Sequence, residues 1–452
     1  MAISLRFVSS PKLQSAKIIT ISLLYQQAPK YVFRMTGSPK YSVIIPSRNG
    51  CRYLSYAIRS VLDQQFEDFE LIVSDNHSSD GTWGFLSSLS DPRLRSVQPL
   101  EPLSMTRHFE FAIGQAKGEW ITVLGDDDAL QPYFFDLAEK LTLASSNPVI
   151  SSPRAYYNWP GCEVLYSETV VVYSASRKTS ARNSLARLLK LLLFPGRYLE
   201  EPQFYTGTLF RNEMFKDIKV RHHGVVFKSL CPDADSVALI FQHTSDFTFS
   251  HIPLAWVGSS PKSTGFAHSG TKENSIDVQE DFSALVIKDK IFSDPRFPFS
   301  LYINNLHGFF MVAFFQVHDE PGLGWGRVLK FKPTLYLLFA KLFRDYKACT
   351  DPGIREAYEK TFATNGLNLS ILGMTSLLLS LLFALTGGLG NTLSRVKRVV
   401  FRMFTEGRLR ASPFEKVDRP GRCVFSSASR SEFPTILHAS AQSKILYDKR
   451  LS

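Results

Sequence analysis

Between Lys40 and Leu141 short apolar runs alternate with stretches of helical period. Tyr41-Ser-Val-Ile-Ile45 reads as a buried strand, closed by Pro46 and the turn formers Asn49-Gly50. Leu54, Ile58, Val61 and Leu62 recur at helical spacing and predict a helix ending near Gln64-Gln65. Glu70-Leu-Ile-Val-Ser74 is a second strand running into Asp75-Asn-His-Ser-Ser-Asp80-Gly-Thr82. A third strand falls at Leu94 to Val97, and the helix after it carries Phe109, Ile113 and Ala116 on one face. Trp120-Ile-Thr-Val-Leu124 is a fourth strand, ending at Gly125-Asp126-Asp127-Asp128 before Pro132 opens another helix. This alternation predicts an α/β fold with a mostly parallel sheet covered on both faces.

Farther along, Leu185, Leu188, Leu189 and Leu192 interleave with Arg187 and Lys190 as an amphipathic helix, to be packed on the catalytic half or laid on a membrane surface. From Asp281 the chain turns aromatic and helical, as in Phe309 to Phe315 and Leu335 to Phe339, without a repeat or a second catalytic motif. Thr361 to Ser394 holds no charged residue, and Leu367 to Thr386 is leucine-rich but interrupted by Ser370, Thr375, Ser376 and Ser380. That run is long enough for a spanning or re-entrant membrane segment and equally suits a buried helical hairpin. Arg395, Lys397, Arg398 and Arg402 then alternate with apolar residues, a pattern for an amphipathic helix on anionic lipid.

Length and composition narrow the class. At 452 residues and 44% hydrophobic the chain exceeds one compact core and is too apolar to be disordered. Five scattered cysteines make neither a disulfide framework nor a zinc spacing and suit a reducing, cytoplasmic setting. The net charge of +11 calls for a polyanionic partner: phosphates, an anionic membrane surface or nucleic acid. The positive residues form no long run and no stacking platform stands out, so a nucleic acid partner is not expected. No acidic residue precedes Asp63, and residues 1–37 read as a disordered tail, with Met1 and Met35 both open as starts.

In a parallel α/β sheet the ligand crevice lies outside the carboxyl ends of the strands. Ser47-Arg48-Asn49, Asp75 to Asp80 and Asp126-Asp127-Asp128 all fall there. Three consecutive carboxylates repel one another, and a divalent cation relieves the conflict; hard oxygen donors suit Mg or Mn. Two or three carboxylates leave the rest of the metal's shell to water and a substrate diphosphate, the arrangement of a nucleotide-handling site. An Asp triplet standing alone also serves as a solvated loop or helix cap.

Taken together, Val43-Ile-Ile-Pro46-Ser-Arg-Asn49, Ser60-Val-Leu-Asp-Gln64, Phe69 to Thr82, Ala116-Lys-Gly118-Glu-Trp-Ile and Asp126-Asp-Asp128 resemble the family 2 glycosyltransferases. The likeness is strong over Tyr41 to Leu141 and weaker to about Gly265. It implies the GT-A type fold, a Rossmann-like sheet with helices on both faces, here followed by a mainly helical C-terminal region. The implied division is 38–145 for the nucleotide-sugar and 146–265 for the acceptor; beyond the reach of the resemblance, composition alone divides the chain into a helical extension (266–360), the apolar and basic segment (361–410) and a tail (411–452). It also implies inverting sugar transfer from a nucleoside diphosphate donor, UDP-sugar favoured, to a glycan or lipid-linked acceptor. The alternative is an inactive nucleotide-sugar or glycan binder on the same fold.

By the same resemblance Pro46, Ser47, Arg48 and Asn49 line the nucleoside base and Asp75 accepts the base's imide N–H. Asp80 and Asp126 lie on the nucleotide-sugar, Asp126 at the ribose, and Asp127 with Asp128 holds the metal. Arg48 replaces a common aromatic residue and offers a guanidinium to stack on the base; Gly125 stands at an often acidic position. His108 replaces a frequent Asn, and Arg107 before it is a candidate phosphate contact. Inverting transfer needs a base for the acceptor hydroxyl. Cys231-Pro-Asp233-Ala-Asp235-Ser236 resembles the family's acceptor-side acidic motif, with Asp233 the first choice and Asp235 the second, unless both merely cap the following helix. Tyr205, Thr206 and Gly207 are expected in the acceptor wall. The segment from Gly258 to Gly270, with Lys262 and His268, reads either as a loop closing over the diphosphate or as a plain linker.

Overall fold

The computed structural model describes residues 37–162, 170–173, 179–193, 201–230, 232–263, 284–286, 288–289, 306–318, 331–381, 423–427 and 433–451. The N-terminal tail to residue 36, His268 and the loop around it, and the basic amphipathic segment after 381 lie outside the described residues.

The strands are β1 (Tyr41–Ser47), β2 (Phe69–Asp75), β3 (Leu94–Val97), β4 (Trp120–Val123), β5 (Ala129–Leu130), β6 (Val149–Ser151), β7 (Ala155–Asn158), β8 (Val170–Tyr173), β9 (Thr179–Asn183), β10 (Thr208–Arg211), β11 (Asp246–Ser250), β12 (Ala255–Ser259) and β13 (Cys423–Ser427). The helices are α1 (Cys51–Leu62), α2 (Thr82–Ser87), α3 (Met105–Gly114), α4 (Phe134–Ala144), α5 (Ser184–Leu193), α6 (Asn212–Arg221), α7 (Pro232–His243), α8 (Leu306–His318), α9 (Lys332–Ala348), α10 (Pro352–Thr364), α11 (Leu369–Leu381) and α12 (Ile436–Leu451).

The large sheet runs β3-β2-β1-β4-β10-β6-β11-β9, with β10 and β9 opposed to the other strands. The mixed α/β fold with a mostly parallel sheet is thus the one the sequence pattern implies. Every residue of β1 is buried, because the strand is central and covered on both faces. Tyr41, Val43 and Ile45 pack with Leu54, Ile58 and Val61 of α1 and with Phe134, Leu137 and Leu141 of α4. Ile44, Ile72, Ile121 and Val123 point the other way, into a core with Ile113 of α3, Val237 and Phe241 of α7, and Met311 and Phe314 of α8. Each such aliphatic side chain contributes about 1.5–3 kcal/mol on burial, so a slip of one residue in β1 would be prohibitive. The register pairs Ser47 with Asp75 and Ile44 with Val123, which brings the polar loops of β1, β2 and β4 to one sheet edge.

A second, five-stranded sheet runs β13-β8-β7-β12-β5. Since β5 follows directly on Asp126-Asp127-Asp128, the acidic turn is one of the places where the chain passes from the large sheet to the small one. The chain end belongs to this body: β13 pairs antiparallel with β8, Ser443 Oγ donates to Gln131 Oε1 at 2.6 Å, and Tyr447 stacks on Tyr133 at 3.9 Å. Residues 423–427 and 433–451, expected in a tail, are therefore integrated into the α/β body. On α5, Leu188 and Leu191 are buried in the core and Arg187 is ion-paired with Glu201, so this helix packs on the protein.

Among the described residues no single helix is long and apolar enough to cross a membrane; α10 and α11 pass by length and composition only as a pair bent by 100°. Helix α11 exposes Ile371, Met374, Leu377, Leu378 and Leu381, while Leu372 and Ser376 are buried.

Candidate active site

Loops at the carboxyl ends of β1 and β2 are knitted together before any ligand arrives. Asn49 adopts a left-handed backbone at φ 55°, which a short polar side chain tolerates. Its Oδ1 accepts the Ser79 N–H at 2.8 Å and its own N–H donates to Ser78 Oγ at 2.7 Å. Arg48 donates to the Asn76 carbonyl at 2.7 Å, and the Asn76 side chain clasps Leu103 through two backbone bonds of 2.7 and 2.9 Å. Arg48, Asn49, Asn76 and Leu103 thereby wall one end of a cavity of about 350 Å³. Asp126, Asp127, Tyr205 and Lys262 wall the other.

The acidic turn distributes three identical side chains into three environments. Asp126 Oδ2 accepts Ser47 Oγ at 2.6 Å and Lys262 Nζ at 2.9 Å. Asp127 is buried, and burial together with the neighbouring Asp128 and Asp126 carboxylates raises its pKa well above the usual carboxylate range, against the Ser260 hydrogen bond and the Lys262 charge. Asp128 turns inward. One oxygen accepts Gly258 N–H at 2.7 Å; the other accepts Gly125 N–H at 2.9 Å and the Thr206 hydroxyl. Tyr205 also donates to it.

The glycines here are dictated by close approach. A Cβ on Gly125 would lie 2.5 Å from Tyr205 Oη and 2.8 Å from Asp128 Oδ2, so no acidic side chain fits where the family often carries one. A Cβ on Gly258 would lie 1.7 Å from the Asp127 carbonyl oxygen, to which Trp159 donates at 2.9 Å.

Several expected residues stand elsewhere. Asp75 is buried beneath the cavity rather than on its wall, and accepts Ser78 Oγ and, at 2.7 Å, Gln98 Nε2. Asp80 accepts the Cys51 N–H at 3.0 Å and the Thr82 N–H at 3.1 Å, joining the N-termini of α1 and α2. Arg107 is held away from the cavity by Glu110 at 3.5 Å and the Phe227 carbonyl at 3.3 Å, whereas its neighbour His108 does line it. His108 Nε2 is 2.9 Å from Ser74 Oγ, and burial pushes its pKa down to about 3, so the imidazole is neutral.

On the acceptor side α7 begins at Pro232 and presents Asp233 and Asp235 in its first turn. Asp235 is fully buried and accepts Lys228 and Ser229 N–H, both at 2.8 Å, so it fixes the loop before the helix. Asp233 is half-buried; desolvation raises its pKa to about 6, the Arg154 charge pulling it down and the Asp128 charge pushing it up. Arg154, which no sequence signal marked, donates to the Thr206 carbonyl at 3.0 Å and so ties Asp233's environment to the acidic turn.

The arrangement fits a divalent cation through one carboxylate, Asp127, whose ionised form is disfavoured by burial and by the neighbouring carboxylates and would be favoured by a cation beside it. It does not offer Asp128, whose oxygens are taken by backbone and hydroxyl donors. Among the described residues no group of three His, Cys, Asp or Glu side chains forms a ready metal cage, so a cation here relies on a ligand's own oxygens for most of its shell.

Residues 42–160 match the family model described as Glycosyl transferase family 2. The GalNAc(5)-diNAcBac-PP-undecaprenol beta-1,3-glucosyltransferase of Campylobacter jejuni is 38% identical over 95 residues, 20% of this chain and 31% of that protein. Chondroitin synthase of Escherichia coli is 27% identical over 190 residues, 37% of this chain and 26% of that protein. The chain thus spans under a third of the length of either relative. Among solved structures, S. aureus TarS (1–349) in complex with UDP-GlcNAc aligns over 73% of this chain and 92% of that one, at 16% identity and a TM-score of 0.40. The residues that build the β1, β2 and β4 loops and the acidic turn thus lie in a domain, 42–160, that matches glycosyl transferase family 2.

Proposed function

We propose that the protein transfers a sugar from a nucleoside diphosphate donor, UDP-sugar favoured, to a hydroxyl of a glycan or lipid-linked acceptor, with inversion at the anomeric carbon. The observation that carries this is the convergence of Ser47, Arg48, Asp126 and Asp127, from the domain that matches family 2, with Tyr205 and Lys262, from beyond it, on one cavity at the carboxyl ends of β1 and β4. The nucleoside takes the Arg48–Asn76 end, with the guanidinium against the base. The diphosphate lies over Asp126 and Asp127. When bound, Mn or Mg held by Asp127 supplies positive charge to the departing diphosphate.

Asp233 serves as the base. With a pKa near 6 it is mostly ionised at neutral pH and still basic enough to accept a proton. It takes the acceptor's hydroxyl proton as that oxygen bonds to the anomeric carbon, on the face opposite the breaking bond to the diphosphate. Tyr205 and Thr206 keep Asp128 fixed and hold the acidic turn in place.

The Campylobacter jejuni relative's name describes a polyprenyl-diphosphate-linked acceptor. The exposed apolar stripe of α11, in a stretch from Thr361 to Thr405 without an acidic residue, suits an anionic membrane surface where such an acceptor is presented, on the cytoplasmic face.

The test is nucleoside diphosphate release from a panel of nucleotide sugars with Mn or Mg, for wild type and Asp127→Asn. Release from one donor, lost on chelation and in the variant, supports the reading. Nucleotide binding without turnover, with or without glycan acceptors, favours the inactive binder.

A further inference from the structure

One short segment, the end of β12 and the turn after it, contacts all three carboxylates of the acidic turn. Gly258, Ser260 and Lys262 are alternate residues, and each engages one carboxylate in reverse order: Gly258 N–H donates to Asp128, the Ser260 hydroxyl to Asp127, and Lys262 Nζ to Asp126 at 2.9 Å. Gly258 lies in β12, and the chain turns directly after the strand, Ser263 N–H donating to the Ser260 carbonyl at 3.0 Å, which brings Ser260 and Lys262 back over the acidic turn. The three contacts differ in kind. The Gly258 contact is a fully buried backbone bond that cannot be given up without breaking the sheet edge. The Lys262 contact is a mobile ammonium on a four-carbon stem, 30% exposed, bonded to a carboxylate that is also held by Ser47 at 2.6 Å. Lys262 is the one lysine among the described residues lining the cavity; Arg48, the other full cation there, is bonded at 2.7 Å to the Asn76 carbonyl.

We propose that Lys262 is a placeholder cation: it holds Asp126 and excludes a divalent metal from the acidic turn until a nucleoside diphosphate arrives, then transfers its ammonium to the diphosphate oxygens. This rests on the donor-site reading above. The reason is charge balance. With the cavity empty, Lys262 and Ser47 together satisfy Asp126, and a metal approaching Asp127 meets a positive charge beside the adjacent carboxylate. A diphosphate brings anionic oxygens that compete for the ammonium, so its arrival clears the approach to Asp127 and adds ligands for the metal. Metal and nucleotide then bind with positive coupling, and the coupling is reciprocal. Lys262 acts here as a positioning residue for the metal and a direct contact for the leaving group.

The experiment measures Mn²⁺ binding to the full chain by the loss of the free Mn²⁺ paramagnetic resonance signal, with and without UDP, GDP or ADP. Wild type, Lys262→Met and Lys262→Arg are compared, with thermal unfolding of each ligand-free protein as the folding control. In wild type, Mn²⁺ alone binds weakly and the best nucleotide tightens it by about 10-fold or more. In Lys262→Met, Mn²⁺ alone binds about 10-fold tighter than in wild type, the nucleotide alone binds more weakly, and the coupling shrinks. Lys262→Arg restores the wild-type order. Nucleotide binding in wild type with Mn²⁺ affinity unchanged or weakened in a folded Lys262→Met overturns the placeholder role and leaves the donor site standing. Absence of any nucleotide binding by wild type overturns both.

Discussion

Replacing Asp233 by asparagine removes a proton acceptor and keeps the side chain's shape, so it separates chemistry from packing. Burial lifts the Asp233 pKa from 3.8 to about 6, which means the folded protein pays to hold this carboxylate ionised. Two pKa units at 1.36 kcal/mol each give about 3 kcal/mol. The sign follows from linkage: between about pH 4 and 6 the folded state binds the proton that the unfolded state has released, so stability falls as pH rises through that window. Asp233→Asn abolishes the loss. Above pH 6 the variant is expected to be more stable by about 1–3 kcal/mol, the lower figure allowing for Arg154 losing a nearby negative charge, and below pH 4 the difference vanishes. Activity moves the other way. Loss of the base is expected to lower kcat by about 100- to 10,000-fold, and the wild-type rate is expected to rise with unit slope to a plateau with a midpoint near the Asp233 pKa. Denaturant melts at pH 4 and pH 8, with transfer assays across the same range, check both halves. A variant that keeps full activity, or one that is less stable than wild type at pH 8, refutes the assignment; a mere helix cap would leave activity intact, because asparagine caps as well as aspartate.

Two further perturbations test the surrounding architecture. Gly258→Ala places a methyl 1.7 Å from the Asp127 carbonyl oxygen and is expected to cost about 3 kcal/mol or more in chemical denaturation, whereas Gly84→Ala in α2, with open space around it, is neutral or stabilising. Pairing Leu377→Asp with Leu378→Asp on the exposed face of α11 is expected to weaken flotation with phosphatidylglycerol-containing vesicles by about 10-fold or more, with donor hydrolysis in solution unchanged; equal flotation of wild type and variant would remove α11 as the docking face.

Strands β1, β2 and β4 were legible because each is a short, mostly apolar run that is buried, and the residues that terminate them build the cavity, whereas β3 is a half-buried edge strand. The second sheet was not. Its β5 is two residues long, and β13 finds β8 across more than two hundred residues of sequence, pairings that no local period announces. The same limit governs the site. Asp126, Asp127 and Asp128 are indistinguishable as letters; their partners at Ser47, Lys262, Ser260, Gly258 and Thr206 come from distant segments and give one an ammonium, one a buried and raised pKa, and one a full set of donors. Asp80, expected at the nucleotide, proved to join two helix starts, a use of aspartate that turn chemistry favours equally.

That distribution bears on how the site is held. The acidic turn leaves the large sheet at β4 and enters the small one at β5, and Asp128 is gripped by Gly125 from the first and Gly258 from the second. Any relative shift of the sheets would pull on a buried carboxylate with no water to replace its donors, a penalty of about 1–3 kcal/mol for each bond lost. The small sheet is itself closed from outside by β13, and α12 clamps Gln131 and Tyr133 just beyond β5. Position at Asp126 and Asp127 therefore depends on residues three hundred positions away that never touch a ligand. The proposed transfer needs that rigidity, since a carboxylate misplaced by an ångström loses most of its effect on a departing diphosphate. The partly exposed partner in the turn is Lys262, and in the proposed reaction it is the group whose charge passes to the donor.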